Sequence, residues 1–80
     1  MEWLVPLQGQ IVGLDTAPLI YFIEENPNYL DVTDAFFEAM FRGEFSVVTS
    51  RGGASFFLTN DARLPSLPAL TVLVLDTLIV

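Results

Sequence analysis

The stretch Ile11-Val12-Gly13-Leu14-Asp15-Thr16 constrains this chain more than any other. Its first four residues are apolar without alternation and too few for a helix. That is the mark of a short strand buried on both faces. Polarity then switches at Asp15-Thr16. Pro18 follows where the first turn of a helix has no use for an N–H. Leu19-Ile20-Tyr21-Phe22-Ile23 supply that helix with an apolar face. The pattern is strand, acidic turn, helix, with one carboxylate at the carboxyl end of a central strand. In open α/β sheets ligands bind at that edge. A second carboxylate brought to Asp15 would make the edge a site.

The remaining elements follow from periodicity and punctuation. Met1 to Gln10 carries Pro6 and Gly9 and reads as a loop or an edge strand. Asp15 or Thr16 can cap the first helix, and Pro27 ends it, since a residue before proline avoids helical angles. Tyr29 to Arg42 forms a second helix, with Val32, Ala35, Phe36, Ala39 and Met40 at helical spacing and Asp31, Asp34 and Glu38 mostly opposite. Gly43 stops it. Glu44 to Thr49 is a second strand, Ser55 to Thr59 a third and Leu70 to Leu75 a fourth. Ala62-Arg63-Leu64 is at most one helical turn, and Asp76 to Val80 is a tail with room for a stub of helix. The class is α/β: about four mostly parallel strands and two amino-terminal helices, in one domain over residues 1–80.

Composition removes several kinds of chemistry. The chain has no cysteine and no histidine, so thiolates and imidazoles are absent as ligands, bases or cross-links. Its three basic residues are all arginines, Arg42, Arg51 and Arg63. Without lysine there is neither a Walker-type phosphate loop nor Schiff-base chemistry. The net charge of −7 opposes nucleic-acid binding through a basic patch. Any contact with RNA must run through metal ions that bridge carboxylates to phosphate. No apolar run is long enough to span a membrane, and Glu2 follows Met1 where a secretory signal would be basic, so a cytoplasmic protein is expected. An apolar fraction of 52% in a small domain points to surface buried between copies.

Ile11 to Thr16, with Leu19-Ile20-Tyr21, resembles the opening of a PIN domain, the fold of the toxin ribonucleases of bacterial toxin–antitoxin pairs. Phe45 to Ser50 looks like that family's second strand. Phe57 to Leu64, running into Leu70–Leu75, looks like its carboxyl end. Family members carry a long helical segment between these blocks, with further acidic residues. Here only a handful of residues separate Thr49 from Ser55. The resemblance is to a PIN domain with its middle removed, and of the usual acidic set it leaves Asp15 and Asp61, with Thr16 and Asn60 as polar neighbours. It implies a catalytic and metal-binding pair, Asp15 and Asp61, that holds Mg²⁺ or Mn²⁺ weakly. It also implies an RNA phosphodiester as substrate, and an antitoxin protein as a possible partner. Such an ion takes oxygen ligands and acidifies its bound water. With two acids the activity expected is at most weak. A fully active endoribonuclease is the alternative. Other strand-end aspartate sites fit less well. A phosphoacceptor receiver needs a lysine, and a haloacid-dehalogenase-type site needs an aspartate where Ala17 stands.

The short connector after Thr49 sets a further expectation. Five residues reach about 17 Å at full extension. Returning along a strand of roughly 17 Å and stepping sideways about 10 Å needs more. Two outcomes follow from that arithmetic. Either Arg51-Gly52-Gly53 makes a hairpin, with the third strand reversed, or the carboxyl half docks on a partner in a domain-swapped, intertwined homodimer. The swap is the expectation, and a self-associating α/β module the first reading of what the chain does.

Overall fold

The computed structural model describes residues 1–79 as a single sheet with helices packed on it. A 3₁₀ helix, Glu2–Leu7, leads into strand β1, Ile11–Leu14. Helices α1, Thr16–Ile23, and α2, Leu30–Phe41, follow. Strands β2, Ser46–Val48, β3, Phe56–Thr59, and β4, Thr71–Val74, come next, and a one-turn helix α3, Leu75–Leu78, closes the chain. The strands are ordered β2-β1-β3-β4, and every neighbouring pair runs parallel. The α/β class and the parallel sheet agree with the sequence. The start of the chain does not: Glu2–Leu7 is helical, and Leu7 is wholly buried under the sheet's helix-covered face. Trp3 and Leu4 of the same turn pack against the core beside it.

Local chemistry explains the helix ends. Asp15 has extended backbone and its Oδ1 accepts the Thr16 N–H at 2.8 Å, a side-chain cap on α1. At the end of α1, Glu25 takes a left-handed φ of 53°, and the Asn26 N–H reaches back to the Tyr21 carbonyl. The end of α2 is built the same way. Gly43 has φ 78°, its N–H meets the Met40 carbonyl, and the Glu44 N–H meets the Ala39 carbonyl. This is the two-bond Schellman closure, for which glycine is the unstrained residue.

Alternation along the strands sorts side chains to two faces. Val12, Leu14 and Leu58 point to the helices, where they meet Val32, Phe36, Phe37 and Ala39 of α2, with Leu7, Phe45 and Leu75 around them. Phe36 is fully buried and touches three rings: Phe45 at 5.0 Å, Phe37 edge-on at 5.3 Å, and Trp3 at 6.4 Å. Thr33 and Phe37, which the sequence reading did not assign to the α2 core, are buried too; the Thr33 hydroxyl is satisfied by the Tyr29 carbonyl at 3.1 Å. Gly13 and Phe57 point the other way.

One polypeptide closes the whole sheet, so neither the hairpin nor the exchange of halves is needed. β2 and β3 flank β1 on opposite sides and run in the same direction, which excludes the hairpin. The domain swap has no support in the fold, because the arithmetic behind it assumed a return along a whole strand. Register removes that return. Val48 lies beside Gly13 and Phe56 beside Val12, so the chain backs up by a single residue, about 3.4 Å. Residues 49–55 reach roughly 24 Å extended, ample for a sideways step of about 10 Å. The link crosses directly over Gly13. A Cβ there would stand 2.6 Å from the Ser50 carbonyl oxygen and 2.6 Å from Cδ1 of Phe57. The missing side chain of Gly13 is the space through which the crossover passes.

Candidate functional site

Three strands deliver polar residues to one edge. β1 ends at Asp15, β3 runs through Thr59 into Asn60 and Asp61, and β4 feeds α3 with Asp76 in its first turn. Because the strands are parallel and adjacent, these ends fall side by side. Tyr29, just ahead of α2, joins them from the helix layer.

Thr59 is the centre of the arrangement. Its side chain is fully buried, and its hydroxyl donates to Asp15 Oδ2 at 2.6 Å while accepting the Asp61 N–H at 3.1 Å. Asp15 and the backbone of Asp61 are therefore two hydrogen bonds apart, across neighbouring co-directional strands of one molecule. The carboxylate of Asp15 is fixed from both sides, by Thr59 and by the Thr16 N–H.

The Asp61 carboxylate turns to Arg63. It accepts the Arg63 backbone N–H at 3.0 Å, Nε at 3.0 Å and Nη2 at 3.1 Å. Those guanidinium bonds, with the backbone bond second, hold its pKa below the usual carboxylate value. The Arg63 side chain is 91% exposed. An ion pair this open is worth little and gives way to a competing cation at small cost.

A second network lies beside the first. The Tyr29 hydroxyl donates to Asp76 Oδ1 at 2.8 Å and accepts from Asn60 Nδ2 at 3.2 Å, while Asn60 Oδ1 accepts the Asp76 N–H at 3.1 Å. The bond to Asp76 raises the Tyr29 pKa, because it favours the phenol over the phenolate; the Asn60 donor acts in the opposite sense. Tyr29 also stacks on Tyr21, with ring centroids 4.5 Å apart.

Of the residues singled out in the sequence, Asp15 and Asp61 reach the same edge. Thr16 contributes its backbone N–H. Asn60 faces Tyr29 and Asp76 and makes no hydrogen bond to Asp15. Sequence reasoning passed over Thr59, Tyr29 and Asp76. Asp76 carried a signal, since Leu75-Asp76 after an apolar strand repeats the Leu14-Asp15 pattern. Thr59 and Tyr29 carried none, because their roles arise only when distant segments meet.

The donor set at this edge is all oxygen, which suits a hard divalent cation. Among the described residues no three acidic side chains converge closely enough to hold a metal ion. The Asp15 carboxylate and the Asp61 backbone meet at the Thr59 hydroxyl, while the Asp61 carboxylate is engaged by Arg63. Among the described residues no helix is long and apolar enough to cross a membrane. No family model, no curated protein and no solved structure matches this chain.

Proposed function

We propose that this chain is a shortened PIN-like α/β module whose carboxyl-edge acids bind Mg²⁺ or Mn²⁺ weakly and lend it at most a weak RNA-cleaving activity, in the cytoplasm. What carries the reading is the Thr59 hydroxyl, bonded to the Asp15 carboxylate and the Asp61 amide at the ligand-binding edge of adjacent parallel strands. Asp15 and Asp61 would hold the ion. A bound ion would neutralise phosphate charge and supply an acidified water. The chain's own part is to fix Asp15 through Thr59 and Thr16, and to release Asp61 from an exposed arginine. A full toxin-type endoribonuclease would need more acids than these two.

The test is calorimetric titration with Mn²⁺ beside cleavage of a single-stranded RNA. Weak binding that disappears in Asp15→Asn and strengthens in Arg63→Ala is the expected result. Equal cleavage by the wild type and Asp15→Asn discards the nuclease.

A second reading, a self-associating module that pairs with its own copy or with an antitoxin, has its own support. Ile23 and Phe41, at the ends of the amino-terminal helices, are 70% and 73% exposed. Large apolar side chains left this open are suited to a partner's surface. A molar mass in solution equal to one chain at high concentration removes the homodimer.

A further inference from the structure

A cavity of about 520 Å³ lies between the 3₁₀ helix, the α1–α2 turn, the start of α2 and α3, and Asn28 and Thr77, the chain neighbours of Tyr29 and Asp76, line it. Its floor is apolar: Trp3, Val32 and Leu78, of which Val32 is buried. Its rim is acidic, with the exposed carboxylates of Glu2 and Asp31. None of the three arginines lines it. Its one cationic group is the α-amino group of Met1, which forms no ion pair with either acid among the described residues. Trp3 is held in place by stacking on Phe36 and by its indole N–H, which donates to the Met1 sulfur at 3.2 Å.

We infer that this cavity binds a small organic cation, a protonated primary amine on an aromatic body. The volume lies within the range of small-molecule sites, and an apolar floor with a few polar groups is their usual construction. Charge decides between ligands of that size. An anion would meet two carboxylates in a chain of net charge −7. A neutral molecule would leave both carboxylates to water and gain nothing from their charge. An arylalkyl ammonium lays its ring on Trp3 and Val32 and sets its charge at the rim. There charge-assisted hydrogen bonds to Glu2 and Asp31 are stronger than neutral ones. The inference is independent of metal or RNA binding at the carboxyl edge.

Trp3 is the only tryptophan in the chain, so its fluorescence reports on this cavity alone. The experiment titrates the full chain with phenethylamine, with the neutral phenethyl alcohol and with the anionic hydrocinnamate, which share one aromatic body. Saturable quenching is expected for the amine, about tenfold weaker affinity for the alcohol, and none for the acid. In the double variant Glu2→Gln, Asp31→Asn the amine falls to the affinity of the alcohol. Both positions are exposed, and an unchanged circular dichroism spectrum confirms that the variant is folded. Equal affinities for all three probes, quenching by the amine that does not saturate, or an unaltered amine affinity in the folded variant overturns the inference.

Discussion

The two faces of the sheet are covered by different means. On one, α1, α2 and the 3₁₀ helix bury a continuous cluster centred on Phe36. On the other, residues 49–55 cross over Gly13, and the Arg51 guanidinium lies 5.6 Å from the centre of the Phe57 ring. The first face is held by buried apolar area, where each side chain adds stability. The second is governed by the lack of a side chain at one position. Topology and stability thus reside on opposite faces. A crossover this thin is possible because the strands are only three or four residues long and nearly level in register.

The comparison breaks first at its strong side. Phe36→Ala removes a wholly buried ring and leaves a cavity, at a cost of about 3–5 kcal/mol. In a domain of this size that lowers Tm by roughly 15–30 °C. Thermal unfolding followed by circular dichroism measures it. A loss under about 1 kcal/mol would mean that the helix face is not what holds the fold.

Gly13→Ala probes the thin side. The added methyl meets a backbone carbonyl and a ring carbon, so the link or Phe57 must shift, at about 1–3 kcal/mol. The two variants should differ in kind as well as size. Amide chemical shifts of residues 49–55 and of Phe57 move in Gly13→Ala, while those shifts stay largely in place in Phe36→Ala. If Gly13→Ala is silent in both stability and shifts, the link does not pass where the structure puts it. Arg51→Ala removes only a cation over an aromatic face at an exposed position, about 0.5–1 kcal/mol.

This division also explains what could be read from the sequence. β1, α1, α2 and the later strands were legible because Ile11–Leu14, the spacing from Val32 to Met40 and the stop at Gly43 are local signals. Asp15 and Asp61 were legible as strand-end acids. The crossover was not, because it depends on register, and register is set by pairing between segments far apart in the chain. A predicted strand two or three residues too long turned a feasible link into an apparent impossibility. Leu7 was missed because Pro6 and Gly9 hide a 3₁₀ turn whose burial is fixed by the α2 core. Thr59 and Tyr29 were missed for the same reason as the crossover: each carries its role through a partner more than thirty residues away.

The smallest effects lie along the edge where the two faces meet, and pH separates them. Asp61 has a folded-state pKa below its ordinary 3.8, through Arg63. It therefore adds stability that is present above the unfolded value and lost as pH falls through the folded one. Tyr29 has a folded-state pKa above its ordinary 10.0, through Asp76. Its share is present below that value and lost as pH rises through the folded pKa. Arg63→Ala should therefore raise the Asp61 titration midpoint, followed by carboxyl NMR shifts, and cost a little stability above about pH 4 that fades as the pH falls below it. Asp76→Asn should lower the midpoint of Tyr29 ionisation, followed by phenolate absorbance, and cost a little stability at neutral pH that fades in alkali. Both groups are open to solvent, so both effects on stability are small. The two pairs share no side chain, since Arg63 bonds Asp61 while Asn60 and Asp76 bond Tyr29. If Arg63→Ala moved the Tyr29 midpoint as strongly as Asp76→Asn does, the edge would be one coupled cluster, and Asp76 would belong beside Asp15 and Asp61 as a potential ligand.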